Sequence, residues 1–322
     1  SNLLGALQFA IEFLNASPKT RSAMMAAEGC VPLTPALENE NFSFSMMIDN
    51  QDIGENYRFA RYGFEFEWIK DNESGRKIVN ESIEIGPKPN ERLTTYLKRK
   101  EGKYKKSYDT RSFRAIALDD NQLAIDVLTS MEDIDINPVV RQIKSMVFAI
   151  LASIDATNRF RATPIEFNAQ GEGFDFDDGD LPRALYRLKE GDSDRYGDFL
   201  NAVHTLFPEF SALSVQSYEM RQEDKEFYER AFPPDDASVP FHVKDELYKL
   251  MIKSEYLNQP VSVARMSEGT QRLIWLIASV VIANMEKISC VGIEEVETSI
   301  HPKMLKTLLE ILSENISGIS VL

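Results

Sequence analysis

The sequence predicts an α/β fold that combines an antiparallel β subdomain with a mostly helical segment. Three observations support this class. Apolar and polar residues alternate within 42–85, which is typical of half-buried strands. Apolar residues recur at helical spacing over 120–160 and 181–206. A strongly apolar helical stretch, 271–284, is followed by a short continuous apolar run, which indicates a buried strand.

The first half of the chain begins with a predicted amphipathic helix over 2–14, which Ser17-Pro18 ends. Three antiparallel strands are predicted within 42–85. Six of the nine residues from Lys98 to Lys106 are basic. This run favours a solvated face or a flexible loop, and the alternative is a local contact site for phosphate or an acidic partner.

The second half alternates between predicted helices and strands. Helices are predicted over most of 120–160, with one apolar stripe made of Ile143, Val147, Ile150, Leu151 and Ile154. The Gly/Asp/Phe-rich segment 171–179 predicts a loop or short hairpin, and 181–206 is helical again. Strands are predicted near 213–218 and 247–254.

Composition excludes several classes of protein. The 322 residues include 51 acidic and 36 basic side chains, so the net charge is −15. This charge counts against a broad basic face for duplex nucleic acid, although a local basic patch remains open. Two cysteines, Cys30 and Cys290, cannot form a disulfide framework or a four-cysteine zinc site. Three widely separated histidines exclude an HExxH zinc motif.

The hydrophobic pattern predicts no association with a membrane. The longest apolar run, Leu273–Ala283, is about half the length that a membrane span of ~20 residues needs. The N-terminal residues lack the basic region of a signal peptide, and Glu12 interrupts their apolar stretch. We therefore expect a soluble, cytoplasmic protein.

The segment 259–302 carries the most specific pattern. Ser267-Glu268-Gly269-Thr270 is a polar turn that opens the apolar helix, and a helix N-terminus with a hydroxyl group and a glycine suits a phosphate oxygen. The buried strand Ile288–Ile293 ends in Glu294 and Glu295. Because ligands bind beyond the carboxyl ends of parallel strands, these carboxylates could hold Mg²⁺ and orient a water.

Each element alone has a simpler interpretation. A serine before a helix is usually an N-cap, and paired acids after a strand usually solvate a loop. Their order and spacing together favour a nucleotide site, and they carry a family resemblance. The segment resembles the signature and Walker B region of ABC-type ATPases, and more narrowly that of RecF-like (OLD-like) AAA-family ATPases of bacterial anti-phage defence. The matching residues are Ser267, Gly269, Thr270, Arg272, Glu294, Glu295, Glu297, His301 and Pro302.

Two positions depart from the family pattern. Val296 replaces the usual proline, and Glu294 stands where many ABC proteins have Asp. The resemblance implies an ABC-type P-loop ATPase head with an antiparallel β subdomain and an inserted helical lobe. It assigns 1–95 and 260–322 to a discontinuous ATP-binding core lobe and 96–259 to the inserted, mostly helical lobe.

The resemblance also implies a site that binds ATP and Mg²⁺ in a head-to-tail homodimer. Each chain would present Ser267, Gly269 and Thr270 to the nucleotide bound on the other. Glu294 would hold Mg²⁺ and Glu295 would polarise the attacking water. His301 would lie in the turn that crosses the dimer interface.

The two ends of the sequence coincide with family motifs. Family members begin with a Gly-rich P-loop followed by Asn-Leu-Leu, and this sequence begins Ser1-Asn2-Leu3-Leu4. The resemblance implies that Ser1 is the last P-loop residue and a Mg²⁺ ligand, that Asn2 lies beside the nucleotide, and that the rest of the P-loop is not in this sequence. Alternatively, Ser1-Asn2 is the remnant of a tag. The sequence stops within the last strand before the Ser-His switch of the family, and Gln51 is not assigned as a Q-loop residue.

Three functions follow from the resemblance, and a fourth interpretation stays open. The first is an ATPase that drives or gates a partner effector, a nuclease or a toxin, in phage defence. The second is an ATP-dependent scaffold that holds such a partner without hydrolysis. The third is a RecF-like DNA repair clamp that uses the basic run, which the net charge of −15 disfavours. The fourth is an α/β protein with no nucleotide site.

Overall fold

The computed structural model of the chain describes residues 2–26, 40–49, 58–69, 77–88, 93–100, 103–106, 114–115, 118–128, 137–151, 159–167, 180–231, 241–285, 288–298, 300–314 and 320–321. The helices in these residues are α1 Asn2–Asn15, α2 Pro18–Met25, α3 Ala124–Leu128, α4 Asn137–Lys144, α5 Leu181–Gly191, α6 Ser193–Leu206, α7 Gln222–Ala231, α8 Glu268–Met285 and α9 Pro302–Glu314. The strands are β1 Phe42–Asp49, β2 Phe59–Glu67, β3 Lys77–Gly86, β4 Thr94–Lys100, β5 Lys103–Lys106, β6 Arg114–Ala115, β7 Phe148–Leu151, β8 Ile165–Phe167, β9 Phe210–Glu219, β10 Phe241–Val243, β11 Glu246–Ser254, β12 Val261–Ser262, β13 Cys290–Ile293 and β14 Ser320–Val321.

The chain packs as two compact units. One unit comprises 1–4 and 147–322, and the other comprises 5–146. The functional division into a discontinuous core lobe and an inserted lobe stays a prediction. The segment assigned to the inserted lobe contains long strands, β9 and β11, as well as helices.

The 5–146 unit is built on a six-stranded antiparallel sheet in the order β1-β2-β3-β4-β5-β6. The three strands predicted within 42–85 are therefore confirmed. The predicted helix over 2–14 is confirmed as α1, and Phe13 of α1 stacks on Phe66 of β2 with ring centroids 4.6 Å apart. The basic run lies in strands β4 and β5, which pair antiparallel. Along β4, buried Leu97 and Arg99 alternate with exposed lysines.

A buried charge network lies beside α1 and α2 in this unit. The Arg21 guanidinium is fully buried and donates to the carbonyl oxygens of Phe13 and Leu14, each at 2.8 Å. It also donates to the Asp126 carboxylate at 3.1 Å, and Lys144 donates to the same carboxylate at 2.9 Å. Burial raises the pKa of the Asp126 carboxyl, but the hydrogen bonds and charges of Arg21 and Lys144 outweigh burial and hold the pKa below its ordinary value of 3.8.

Replacing Asp126 with Asn should lower the free energy of unfolding at pH 7 by about 2 to 3 kcal/mol, because two buried or half-buried cations lose their counter-charge. Because the folded-state pKa is lowered, the stability that the carboxylate contributes is present above the unfolded pKa and is lost as pH falls through the folded pKa. The difference between parent and variant should therefore shrink below pH 3.8.

Urea unfolding at pH 7 and pH 3 measures this difference. The control is Asp49→Asn, whose partner Arg58 and own side chain are both close to half exposed, so that solvent screens the pair and its loss should cost much less than the loss of Asp126. An equal difference for Asp126→Asn at both pH values would contradict the assignment of Asp126 as the stabilising carboxylate.

The 147–322 part of the other unit contains a three-stranded parallel sheet in the order β14-β13-β7. The prediction that 288–293 is a central buried strand next to an apolar helix is confirmed, although β13 begins at Cys290, two residues later. Helix α8 packs against β7, α5 and α6, and all its side chains from Gln271 to Ala283 are buried. Burial raises the pKa of the Cys290 thiol.

The predicted helical stripe through Val147, Ile150 and Leu151 is wrong. Residues 148–151 form β7, which pairs in parallel with β13 from Phe148↔Cys290 to Leu151↔Ile293. A strand buried on both faces is apolar throughout, so its pattern over four residues cannot be distinguished from that of a buried helix.

The remaining predicted elements of this unit are confirmed. The helical stretch 181–206 is present as α5 and α6, which meet at Asp192. The strands near 213–218 and 247–254 are β9 and β11, which pair in one antiparallel sheet with β12. The predictions for 171–179, Gln51 and Cys30 lie outside the described residues. No helix in the described part of the chain has the length and hydrophobicity that crossing a bilayer requires.

Candidate functional site

The predicted signature turn is the start of α8, and Ser267 is its N-cap. The Ser267 hydroxyl oxygen accepts a hydrogen bond from the backbone N–H of Thr270 at 3.3 Å, and the two hydroxyl groups lie 2.8 Å apart. The first intrahelical bond runs from Gln271 N–H to the Ser267 carbonyl oxygen at 3.0 Å. The N–H groups of Glu268 and Gly269 therefore precede the hydrogen-bond ladder of the helix.

This turn is accessible from solvent while the helix behind it is buried. Ser267 and Glu268 are exposed, and Gly269 and Thr270 are half-buried. An 18-residue helix places partial positive charge at its N-terminus, where a hydroxyl group and N–H groups also lie. The structure thus brings Ser267, Gly269 and Thr270 together in a turn that is suited to an anion.

The acid pair follows β13 at the carboxyl end of the parallel sheet. Glu294 extends the ladder, because its N–H donates to the Leu151 carbonyl oxygen at 3.2 Å. Glu295 has a φ of 49°, in the left-handed region, and its carbonyl oxygen accepts from Thr298 N–H at 2.9 Å. Glu294 is half-buried and Glu295 is exposed. Both carboxylates therefore belong to a turn that leaves the edge of the sheet.

Arg272 joins the two parts of the candidate site. Its side chain is 3% exposed, and Nη2 donates to the carbonyl oxygens of Glu295 at 2.6 Å and of Glu294 at 3.2 Å. The sequence matched Arg272 to the signature motif but indicated no role for it. These hydrogen bonds join residues that are more than twenty positions apart in the sequence.

A glycine in β13 allows close packing under this edge. A Cβ atom on Gly292 would lie 2.9 Å from Leu4 Cδ2 and 2.9 Å from Phe148 Cζ. These distances are shorter than ordinary van der Waals contacts, so the first turn of α1 and strand β7 both approach β13 at this point.

His301 marks the start of α9. Its carbonyl oxygen accepts from Met304 and Leu305 N–H, and its Nδ1 accepts from Lys303 N–H at 3.3 Å. The side chain is exposed. The histidine therefore caps its own helix and keeps a surface position, and its role at a dimer interface stays a prediction.

The carboxylate oxygens of Glu294 and Glu295 are the type of ligand that Mg²⁺ prefers. This cation is usually held by one or two carboxylates, several waters and substrate phosphates rather than by a full protein cage. Among the described residues, no group of three or more His, Cys, Asp or Glu side chains could by itself hold a metal ion. Of the other predicted site residues, Ser1 lies outside the described residues and Asn2 is the first residue of α1.

One protein-family model matches the whole sequence. The family model "AAA domain, putative AbiEii toxin, Type IV TA system" matches residues 1–322. No curated protein matches the sequence.

Two solved structures are similar at low identity. The crystal structure of an SmcHead bound to the C-winged helix domain of ScpA is 11% identical with a TM-score of 0.45, and the match covers 98% of this chain and 76% of that one. A Pyrococcus furiosus Smc head domain with an extended coiled coil, bound to the C-terminal domain of ScpA, is 11% identical with a TM-score of 0.41 and coverages of 100% and 80%. The family match confirms the predicted AAA class, and the chain belongs to the family described as "AAA domain, putative AbiEii toxin, Type IV TA system".

Proposed function

We propose that the protein hydrolyses ATP in a head-to-tail homodimer, in which each chain closes the nucleotide site of the other. The observation that carries this proposal is the pair of features in the 147–322 unit. An exposed, serine-capped helix N-terminus and an acid pair at the end of a central parallel strand lie on elements joined by Arg272. Family membership supports ATP as the ligand.

Each predicted residue has a role in this proposal. Ser267, Gly269 and Thr270 bind the terminal phosphate of the nucleotide held by the partner chain. Glu295 accepts a hydrogen bond from the attacking water and orients it towards the phosphorus, and Glu294, with Ser1, holds Mg²⁺. Mg²⁺, when bound, neutralises charge on the phosphates. Asn2 lies beside the nucleotide, and His301 contacts the partner chain.

The proposal includes a role in defence against phage in the cytoplasm. The description of the family names a toxin and a toxin–antitoxin system, which supports a partner effector that ATP turnover drives or gates. A non-hydrolysing scaffold that holds a toxin or nuclease is the alternative within the same fold. The net charge of −15 suits a partner with a basic surface.

Phosphate release by the full-length protein, measured together with binding of ATP and Mg²⁺, tests the proposal. Binding with turnover supports the ATPase. Binding without turnover supports the scaffold instead. Absence of binding would contradict both and favour an α/β protein without a nucleotide site.

One observation favours a second candidate function, the contact with nucleic acid. The register of the hairpin pairs Lys98 with Lys105 and Lys100 with Lys103. Lys98 and Lys100 alternate along β4 and Lys103 lies opposite Lys100, so these three lysines share one face of the two strands. Lys98, Lys100 and Lys103 are exposed, and their neighbours on β3 are uncharged, Ser82 opposite Lys98 and Asn80 opposite Lys100. Along a strand, alternate residues lie about 6.8 Å apart. This lysine face (Lys98, Lys100 and Lys103) supports contact with a phosphate backbone despite the acidic chain.

The double substitution Lys98→Glu and Lys100→Glu should weaken binding of duplex DNA by about tenfold or more at low salt and should reduce the slope of log affinity against log salt by about 2. Fluorescence anisotropy over a salt series measures both. The matched control is Lys249→Glu with Lys253→Glu, two exposed lysines on one face of β11. If both pairs weaken binding equally, the lysine face is not a contact site.

A further inference from the structure

Arg272 does more than fill space in the core, because its guanidinium makes hydrogen bonds to the backbone of the acid turn. The guanidinium is buried, and a single nitrogen, Nη2, donates to the carbonyl oxygens of Glu294 and Glu295. Both acceptors are main-chain atoms of the two residues that carry the predicted carboxylates. Hydrogen bonds from a charged donor are stronger than those between neutral groups, and burial strengthens them further.

The backbone that Arg272 holds is in an unfavourable conformation. Among the described residues other than glycine, Glu295 alone has a positive φ. A residue with a Cβ atom adopts this conformation at a cost in free energy, and it persists only where the surroundings enforce it. Here the Glu295 carbonyl oxygen accepts from Arg272 and from Thr298 N–H, while Glu294 N–H is tied to Leu151 on β7. The turn is therefore fixed from helix α8, from the neighbouring strand and from its own next residues.

We propose that Arg272 is a positioning residue that keeps Glu295 in the left-handed conformation and thereby sets where its carboxylate lies. The role in hydrolysis rests on the proposed function, whereas the hold on the turn does not. Rotation about φ at Glu295 changes the direction of its Cα–Cβ bond. Loss of the Arg272 contacts should therefore displace the carboxylate even if the turn stays folded.

Lysine is the informative replacement at this position. It keeps the positive charge and most of the buried stem, but its ammonium group is a point charge on a flexible chain and lacks the rigid plane of guanidinium. The matched control is Arg99→Lys. Arg99 is 2% exposed and also donates to two carbonyl oxygens, those of Asp119 and Gln122, in the 5–146 unit.

The first experiment needs no nucleotide. Hydrogen exchange is measured by mass spectrometry on the parent and on Arg272→Lys, for peptides that contain the amides of Glu294 and Thr298. We expect exchange at these amides to accelerate by about tenfold or more in Arg272→Lys, because the local opening of the turn becomes easier. In Arg99→Lys the same amides should exchange at the parent rate. Exchange at the parent rate in Arg272→Lys would show that Arg272 does not hold the turn, and the inference would be wrong.

The second experiment measures phosphate release. Arg272→Lys should lower kcat on the order of 10- to 100-fold, with the KM for ATP changed by less than about twofold, because a displaced catalytic group affects the reacting geometry more than binding. In the Glu295→Gln background, the same substitution should add no further loss to the residual rate, since the group that it positions is already absent. Arg99→Lys should leave kcat unchanged at a temperature where the variant is folded.

The outcomes separate the inference from the proposed function. If Arg272→Lys lowers the residual rate of Glu295→Gln by the same factor as it lowers the parent rate, Arg272 acts independently of Glu295 and the inference fails. If the turn exchanges faster in Arg272→Lys but the parent releases no phosphate, the hold on the turn is supported and the proposed ATPase function fails.

Discussion

Replacement of Glu295 by Gln should reduce phosphate release on the order of 10²-fold or more and leave ATP binding intact. Glu295 is exposed at the carboxyl end of the parallel sheet, where a water next to a bound nucleotide can reach it. Glutamine has nearly the same shape but no charge, so the variant cannot polarise the water as the carboxylate does. The backbone contacts of the turn, from Arg272 and Thr298, use the main-chain carbonyl oxygen and are retained.

The measurement is phosphate release under saturating ATP and Mg²⁺, with ATP affinity determined separately by equilibrium binding. Glu255→Gln serves as the control, because Glu255 is an exposed carboxylate that follows β11 and lies outside the acid turn. Unchanged turnover in Glu295→Gln would mean that another group orients the water. A matching loss of ATP affinity would instead assign Glu295 to binding.

Replacement of Ser267 by Arg should abolish the ATP-dependent dimer and most of the turnover, while a single chain still binds ATP. Ser267 is exposed at the N-cap of α8, so a large side chain fits there without disturbing the core but would occupy the space that a partner's phosphate needs. The proposed homodimer would require this turn on both chains, since a two-fold axis uses the same surface twice. We expect phosphate release to fall on the order of 10²-fold, as for the loss of a phosphate-binding element.

A second variant separates the contact with nucleotide from the capping of α8. Aspartate is as good an N-cap as serine, so Ser267→Asp should keep the stability of the helix and still repel a phosphate. Size-exclusion chromatography with light scattering, with and without ATP, gives the oligomeric state. The control is Ser193→Arg, an exposed serine in the first turn of α6. Normal dimerisation of both Ser267 variants would leave the residue only a capping role.

The parts of the fold that the sequence predicted well have long and regular patterns. The three strands within 42–85 alternate over many residues, and helix α8 is an apolar stretch too long for a strand, so local pattern and tertiary environment agree. Strand β7 was mistaken for helix because four apolar residues are too few to define a period. The lysine face was hidden as well, since it depends on which lysines pair across the hairpin and not on the number of basic residues.

The sequence predicted which residues form the candidate site, but not the hydrogen bonds that hold them in place. The order of Ser267, Gly269, Glu294 and Glu295 along the chain indicated a turn and an acid pair because each belongs to a local motif. The contacts of Arg272 with the acid turn depend on where the fold places α8 relative to the turn that follows β13, and no local pattern encodes them. The same holds for Arg21 and Asp126, which are distant in sequence and meet only in the core.

Gly292 links residues that are far apart in sequence into one packing unit. A Cβ atom at this position would overlap both Leu4 and Phe148. The side chains at the three positions therefore share one limited volume. A larger residue at position 292 requires the side chains at positions 4 and 148 both to shift or to become smaller. Across relatives of this chain, the residues at these three positions are therefore expected to change in a compensating manner, so that their summed volume varies less than the volume at any one of them.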